Sequence, residues 1–224
     1  MAIPTEVLDF ITDLKDNNNR EWFQANQKRY NEYKKAYKNI TEAFIAEISK
    51  GDPSLQQLEF KSCTFRINRD IRFSKDKSPY KTNMGMWFSA GSKHNNMAGY
   101  YVHIEKGASF IAGGLYCPQA DELKKTRREI AGFYEDLEEI VEDKNFKKIY
   151  AGFDRDENNT LKTAPKDYPK DHPAIEFLKL KSFTATAKIT DKELESDNFV
   201  AETSKKLLVL KPLVEFINRG LTTE

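Results

Sequence analysis

The sequence predicts an α+β domain in which a mainly antiparallel sheet packs with helices from both chain ends. Three observations carry this. Apolar residues recur every three or four positions near both ends, they alternate with polar ones through the middle, and two alternating runs are joined by Lys106-Gly107-Ala108, a link short enough for a hairpin. The 224 residues suffice for one substantial core and show no internal repeat, so a single domain over 1–224 is expected.

The elements follow in order. Val7, Leu8, Phe10, Ile11 and Leu14 place a stripe on a short first helix, which the Asn17-Asn18-Asn19 cluster ends. A longer helix is expected next, with Asn18 as its cap and Glu21 as the reciprocal capping partner. Its stripe runs Trp22, Tyr30, Tyr33, Tyr37, Ile40, Phe44 and Ile48, and Gly51 with Pro53 supplies a left-handed stop. That period matches burial, so the rings read as core and not as a base-stacking platform.

From Lys61 the period becomes that of a strand, with Cys63, Phe65, Ile67, Ile71 and Phe73 alternating with polar residues. Further strands are expected at 86–90, 99–105 and 109–116, the last interrupted by Gly113 and Gly114, where a bulge or a close backbone approach is implied. Helical spacing returns over 119–150, divided in two at Gly132. The aperiodic stretch from Phe153 to Pro173 is long enough to suggest a lid. Pro173 opens a short helix through Leu180, Phe183 to Ile189 alternates as a strand, and two C-terminal helices follow, broken near Pro212 and ended by Gly220.

Composition limits the partners. Lys and Arg total 36 against 35 Asp and Glu, so no global field holds the protein on a polyanion, and avid nucleic-acid binding is not expected. No apolar run approaches the roughly 18 residues of a membrane span. Cys63 and Cys117 form no paired motif, and the segment from Met1 to Lys15 lacks the basic start and unbroken apolar stretch of a signal peptide. A soluble, cytoplasmic protein is the expectation. With three His, two Cys and no ligand spacing, neither a metal nor another cofactor is expected. The phosphate loop, the dinucleotide fingerprint, H-E-x-x-H and the G-x-S-x-G elbow are all absent from the sequence.

The strongest local bias lies at 61–83, with seven basic residues against two acidic ones, a net of +5. If the strand alternation holds there, Arg66, Asp70 and Arg72 share a face, and two guanidinium forks bracket a phosphate or carboxylate. Arg69, Lys75, Lys77, Tyr80 and Lys81 complete this candidate anion site. The competing reading has these arginines satisfy the protein's own acidic helices, such as 135–143. Tyr101, His103 and Glu105 share one face of a neighbouring strand, where His103 and Glu105 are candidate proton-transfer groups; the alternative is a hydrogen-bonded structural histidine. In the long loop, Lys162, Lys166 and His172, with Tyr168 and Lys170, could close over an anion, while Asp171 and His172 before Pro173 also suit a helix start. His94 falls in an expected turn at 91–96.

Four phrases carry a resemblance. FRINRDIRFSKDKSPYKTN, YYVHIEKGASFIAGGLYCP, LKTAPKDYPKDHPAIEFLKLKSF and the amino-terminal LDFITDLKDNNNREWFQANQKRY resemble domain-of-unknown-function family 2461, conserved hypothetical proteins of bacteria and fungi. The resemblance spans Leu8 to about Asn218 and implies one domain without an added module; it implies no reaction, cofactor or catalytic residue. Two functional classes remain. One is a protein that binds, and in its enzymatic form acts on, a small anionic ligand; the other is a module for a protein or nucleic-acid partner. Oligomeric state is not legible.

Overall fold

The computed structural model describes residues 1–90 and 96–223. Helix α1 (Thr5–Asp16) buries the five apolar residues of its stripe. The long aromatic helix is instead two: α2 (Arg20–Ala25) and α3 (Gln27–Gly51), separated at Asn26. Asn19, not Asn18, caps α2 by accepting from Trp22 N–H. Asn18 is otherwise engaged, because its amide donates to Tyr80 O at 2.9 Å and accepts from Tyr80 N–H at 3.0 Å. Gly51 is the last helical residue and not a left-handed stop; the cap is Asp52, whose carboxylate also accepts from the buried Tyr100 hydroxyl.

The predicted strand from Lys61 does not form. Helix α4 (Phe60–Cys63) is followed by an extended stretch that touches the sheet through a bridge from Thr64 to Met86. An excursion then leaves at Asn68 and returns at Tyr80, closed by Arg69 N–H to Pro79 O and Lys81 N–H to Ile67 O. The reason is local. Asp70 accepts from Arg72 N–H and Asp76 from Ser78 N–H, two side-chain turns that offer this backbone an alternative to a ladder. Phe73, predicted to face a core, is 96% exposed at the tip.

The sheet is an antiparallel meander in the order β1 (Met84–Phe88), β2 (Gly99–Ile104), β3 (Phe110–Leu115), β4 (Phe183–Lys188). Alternation divides its side chains. Met84, Met86, Phe88, Tyr100, Val102, Ile104, Ile111, Phe183 and Ala185 are buried in the core. Helix α3 and the C-terminal helices α10 (Phe199–Leu208) and α11 (Lys211–Thr222) pack on this face. The paired glycines act as expected. A Cβ on Gly113 would lie 2.7 Å from Leu210, and Gly114 has φ +118° with a Cβ position 2.0 Å from Phe183 O.

Over 119–150 the chain forms three helices where two are expected: α5 (Ala120–Gly132), α6 (Tyr134–Glu142) and α7 (Lys144–Tyr150). Asp143 adds the second break by capping α7. The stretch after Phe153 is not a lid over the sheet. Leu161 N–H bonds Lys179 O and Lys181 N–H bonds Asn159 O, fastening it beside α8 (Ile175–Leu178). A short α9 (Asp191–Leu194) leads to α10. Pro212 lies in the first turn of α11, and Gly220 lies within that helix, where a Cβ would come 2.6 Å from the Glu129 side chain. No helix among the described residues is long and apolar enough to cross a membrane.

Candidate functional site

The second face of the sheet is the floor of a groove of about 860 Å³. Because β-strand side chains alternate, the same registers that bury the core set place Gly85, Trp87, Tyr101, His103, Phe110 and Ala112 on this floor, with Thr184 and Thr186 at its β4 side. Phe65, Arg66, Ile67, Lys81 and Asn83 form the rim beyond β1, and Asp154 lies beyond β4. Gly85 makes room here: a Cβ would meet the Tyr101 hydroxyl at 2.6 Å, so its absence lets that phenol lie across β1. From the core side, the Tyr37 hydroxyl donates to Gly85 O at 2.5 Å and accepts from Phe65 N–H at 3.4 Å, fixing the rim to the sheet edge.

At the centre, His103 stacks on its cross-strand partner Phe110 at 4.6 Å and 14°. Its Nε2 is 3.3 Å from Glu105 Oε2, and Glu105 Oε1 accepts from Lys15 at 2.9 Å. An ionised carboxylate only accepts, so Nε2 carries the ring proton and Nδ1 is left to accept. The Tyr101 hydroxyl lies 3.2 Å from Nδ1, and Asn83 Nδ2 lies 3.2 Å from both ring nitrogens. Burial pushes the Tyr101 phenol up to about 12, so it remains a donor. Burial also lowers the His103 pKa, against the opposing pull of Glu105. For Glu105, burial acts upward, but the hydrogen bonds from Lys15 and His103 outweigh it and leave its pKa lowered. The chain therefore rests as lysine cation, carboxylate and neutral imidazole.

At the β4 side, Asp154 Oδ2 accepts from Thr184 and Thr186 at 2.7 and 2.8 Å, while Asp154 N–H bonds Thr184 O. The turn at Tyr116 and Cys117, the latter with φ 45°, also lines the groove.

The residues singled out in the sequence divide into groups. Arg66, Lys81, Tyr101 and His103 line the groove, and Glu105 holds His103 from behind. Arg66 is exposed and makes no direct ion pair among the described residues, although Asp70, whose pKa is lowered chiefly by Arg72, is lowered by the Arg66 charge as well; Lys81 lies 5.1 Å from the Phe65 ring centroid. The others gather elsewhere. Arg72 is taken by Asp70 through two hydrogen bonds and Arg69 by Asp76, so the Arg66–Arg72 bracket does not form. Their partners are acids of the same excursion and not the helix at 135–143. Lys77 donates to Ile71 O, and Lys75 is exposed beside it. Tyr80 is core, stacked on Phe23 at 4.0 Å. Lys162 and Lys166 are exposed outside the groove, and His172 accepts from Ala174 N–H at the start of α8, the helix-start role. His94 lies outside the described residues.

Sequence reasoning missed Asn83, Trp87, Phe110, Asp154 and the threonine pair. The polar alternation of Thr184 and Thr186 was a usable signal; Asp154, about thirty positions away in an aperiodic stretch, gave none. Among the described residues no group of three or more His, Cys, Asp or Glu is gathered to hold a metal ion.

Fold and groove define a single-domain α+β protein whose four-stranded antiparallel sheet is packed with helices on one face and forms a binding-sized hollow on the other. The chain belongs to the family described as conserved hypothetical protein (DUF2461), whose model matches residues 6–216. No curated protein and no solved structure matches it.

Proposed function

We propose that the groove binds a small ligand made of an apolar body and an anionic group, the body lying on Trp87, Tyr101 and Phe110 and the anion held by Arg66 with Lys81 beside it. The observation that carries this reading is Arg66: an exposed guanidinium on the rim of an aromatic hollow that makes no direct ion pair among the described residues, the nearby Asp70 being bound to Arg72. A planar fork of donors suits a carboxylate or phosphate, and aromatic walls suit an apolar body. Neutral His103, with Nε2–H directed to Glu105, would serve as the proton acceptor if the bound ligand is transformed. That Cys63, buried, and Cys117, exposed, form no disulfide with each other supports a cytoplasmic setting for this role.

The test is a thermal-shift panel of nucleotides, sugar phosphates and carboxylates that includes octanoate. A hit raises the melting temperature in proportion to the logarithm of its concentration, and Arg66→Ala weakens it about tenfold or more. An unchanged shift in Arg66→Ala rejects the anion site.

A further inference from the structure

The β4 side of the groove carries a second recognition element of opposite sign. Thr184 and Thr186 each have one hydroxyl hydrogen, and both donate it to Asp154 Oδ2. What these three residues turn toward a ligand is therefore acceptors only: the lone pairs of two hydroxyl oxygens and Asp154 Oδ1, which receives no hydrogen bond among the described residues. Asp154 also pairs with no Lys or Arg among those residues. Anchoring the loop to β4 uses Oδ2 and the Asp154 N–H, so Oδ1 is not needed for that purpose. A carboxylate with two neighbouring acceptors matches an ammonium, which brings a positive charge and three hydrogens. A neutral hydroxyl brings one.

The two ends lie on opposite margins of the sheet. The Thr64–Ile67 stretch sits outside β1, and Asp154 sits outside β4. Five inter-strand spacings, about 24 Å, separate their backbones across the sheet, and the registers offset them by about five residues, or about 16 Å, along it, because Arg66 is level with Met84 while Asp154 is level with Thr184 and Gly99. The backbones are then about 29 Å apart on the diagonal, and side chains reaching inward leave on the order of 20 Å between the charged groups. Allowing a hydrogen bond of about 2.8 Å at each end, the gap suits a ligand roughly 14 Å long.

We infer that the groove's ligand is an elongated zwitterion, with its anionic end at Arg66 and a primary ammonium at the Asp154–Thr184–Thr186 cluster. This rests on the anion site proposed above and specifies the other end of the same ligand. The chemistry is shared by ω-amino carboxylates and short peptides with free termini, of which four extended residues span about 14 Å.

The probes are ω-aminocarboxylates of six to twelve carbons and the matching fatty acids, titrated calorimetrically into the full chain. 12-Aminododecanoate binds about tenfold tighter than dodecanoate, with the optimum near that length. Asp154→Asn abolishes the difference and leaves dodecanoate binding unchanged. Thr186→Val, which removes one acceptor but not the charge, reduces it, and this variant carries the test if Asp154→Asn melts too low to assay. Ala-Ala-Ala-Ala against its N-acetyl form tells whether peptides are accepted: preference for the free amine extends the inference to them, and equal binding restricts it to ω-amino carboxylates. Dodecanoate and 12-aminododecanoate binding equally, both weakened by Arg66→Ala, would overturn the zwitterion and leave the anion site standing. If no carboxylate in the series binds, both fall.

Discussion

His103 is held neutral by its surroundings: burial lowers its pKa below the ordinary 6.5, and Glu105, by accepting from Nε2, acts against that shift without reversing it. The sign for stability follows. Above 6.5 both folded and unfolded chains carry a neutral ring; as pH falls below 6.5 the unfolded chain takes up the proton first, so folding stability is lost progressively toward the lowered folded value. Glu105, lowered from 4.5, contributes stability that is fully present above that value and is lost as pH falls through the folded one. Melting temperatures between pH 7 and 5 should therefore decline more steeply in the wild type than in His103→Gln, which cannot gain the charge. Parallel curves for the two proteins would contradict the assignment. On the rim, Arg66 is predicted to matter for ligand and not for folding, since it is exposed and makes no direct ion pair among the described residues, its attraction to Asp70 acting through solvent-exposed groups. Arg66→Ala should change stability by no more than about 0.5 kcal/mol in denaturant titration.

Among the elements, β3 depends on a backbone that other residues adopt with strain. Gly114 combines φ +118° with a Cβ position 2.0 Å from Phe183 O, which is backbone and cannot swing away. Gly114→Ala should cost more than about 2 kcal/mol. Gly132 ends α5 with nothing within 4 Å of its Cβ position. There Gly132→Ala should be neutral or stabilising by about 0.5 kcal/mol, so the pair separates a required glycine from a replaceable one. The excursion from Asn68 to Tyr80 is pinned to the link between α1 and α2 by Asn18, whose loss in Asn18→Ala leaves both Tyr80 backbone groups without that partner and should cost about 1–2 kcal/mol.

What the sequence revealed and withheld is visible in the same elements. The four strands of the sheet and the helices of both ends follow from periodicity, because burial on one face imposes it. Tyr101, His103 and Glu105 could be placed on one face by counting in twos. The basic segment could not, because Asp70 and Asp76 fold their own backbone into turns and take Arg72 and Arg69 with them, leaving Arg66 alone of the three arginines at the groove. Alternation is a statement about burial, and at Phe73 nothing is buried. Asp154 reaches the site only through a tertiary contact with β4, so no local pattern marks it.

At the scale of the whole molecule, the division between the two sheet faces organises everything else. Helices α3, α10 and α11 pack against the core face, where Tyr100, Phe88 and Phe183 are fully buried. The chain's remaining aromatic and polar sheet residues are left to line the groove, and its margins are set by segments fastened to the edges of β1 and β4. The two tryptophans fall on different sides of this division. Trp87 lies on the groove floor, while Trp22 stacks on Phe10 at 5.9 Å within the α1–α3 aromatic cluster. Their indole N–H resonances, told apart with Trp22→Phe, therefore report the site and a built-in control in one spectrum. Titrating the full chain with octanoate should move the Trp87 signal in a saturable way, leave Trp22 in place, and lose the effect in Arg66→Ala. An unmoved Trp87 signal, or equal movement of both, would contradict the groove as the binding site.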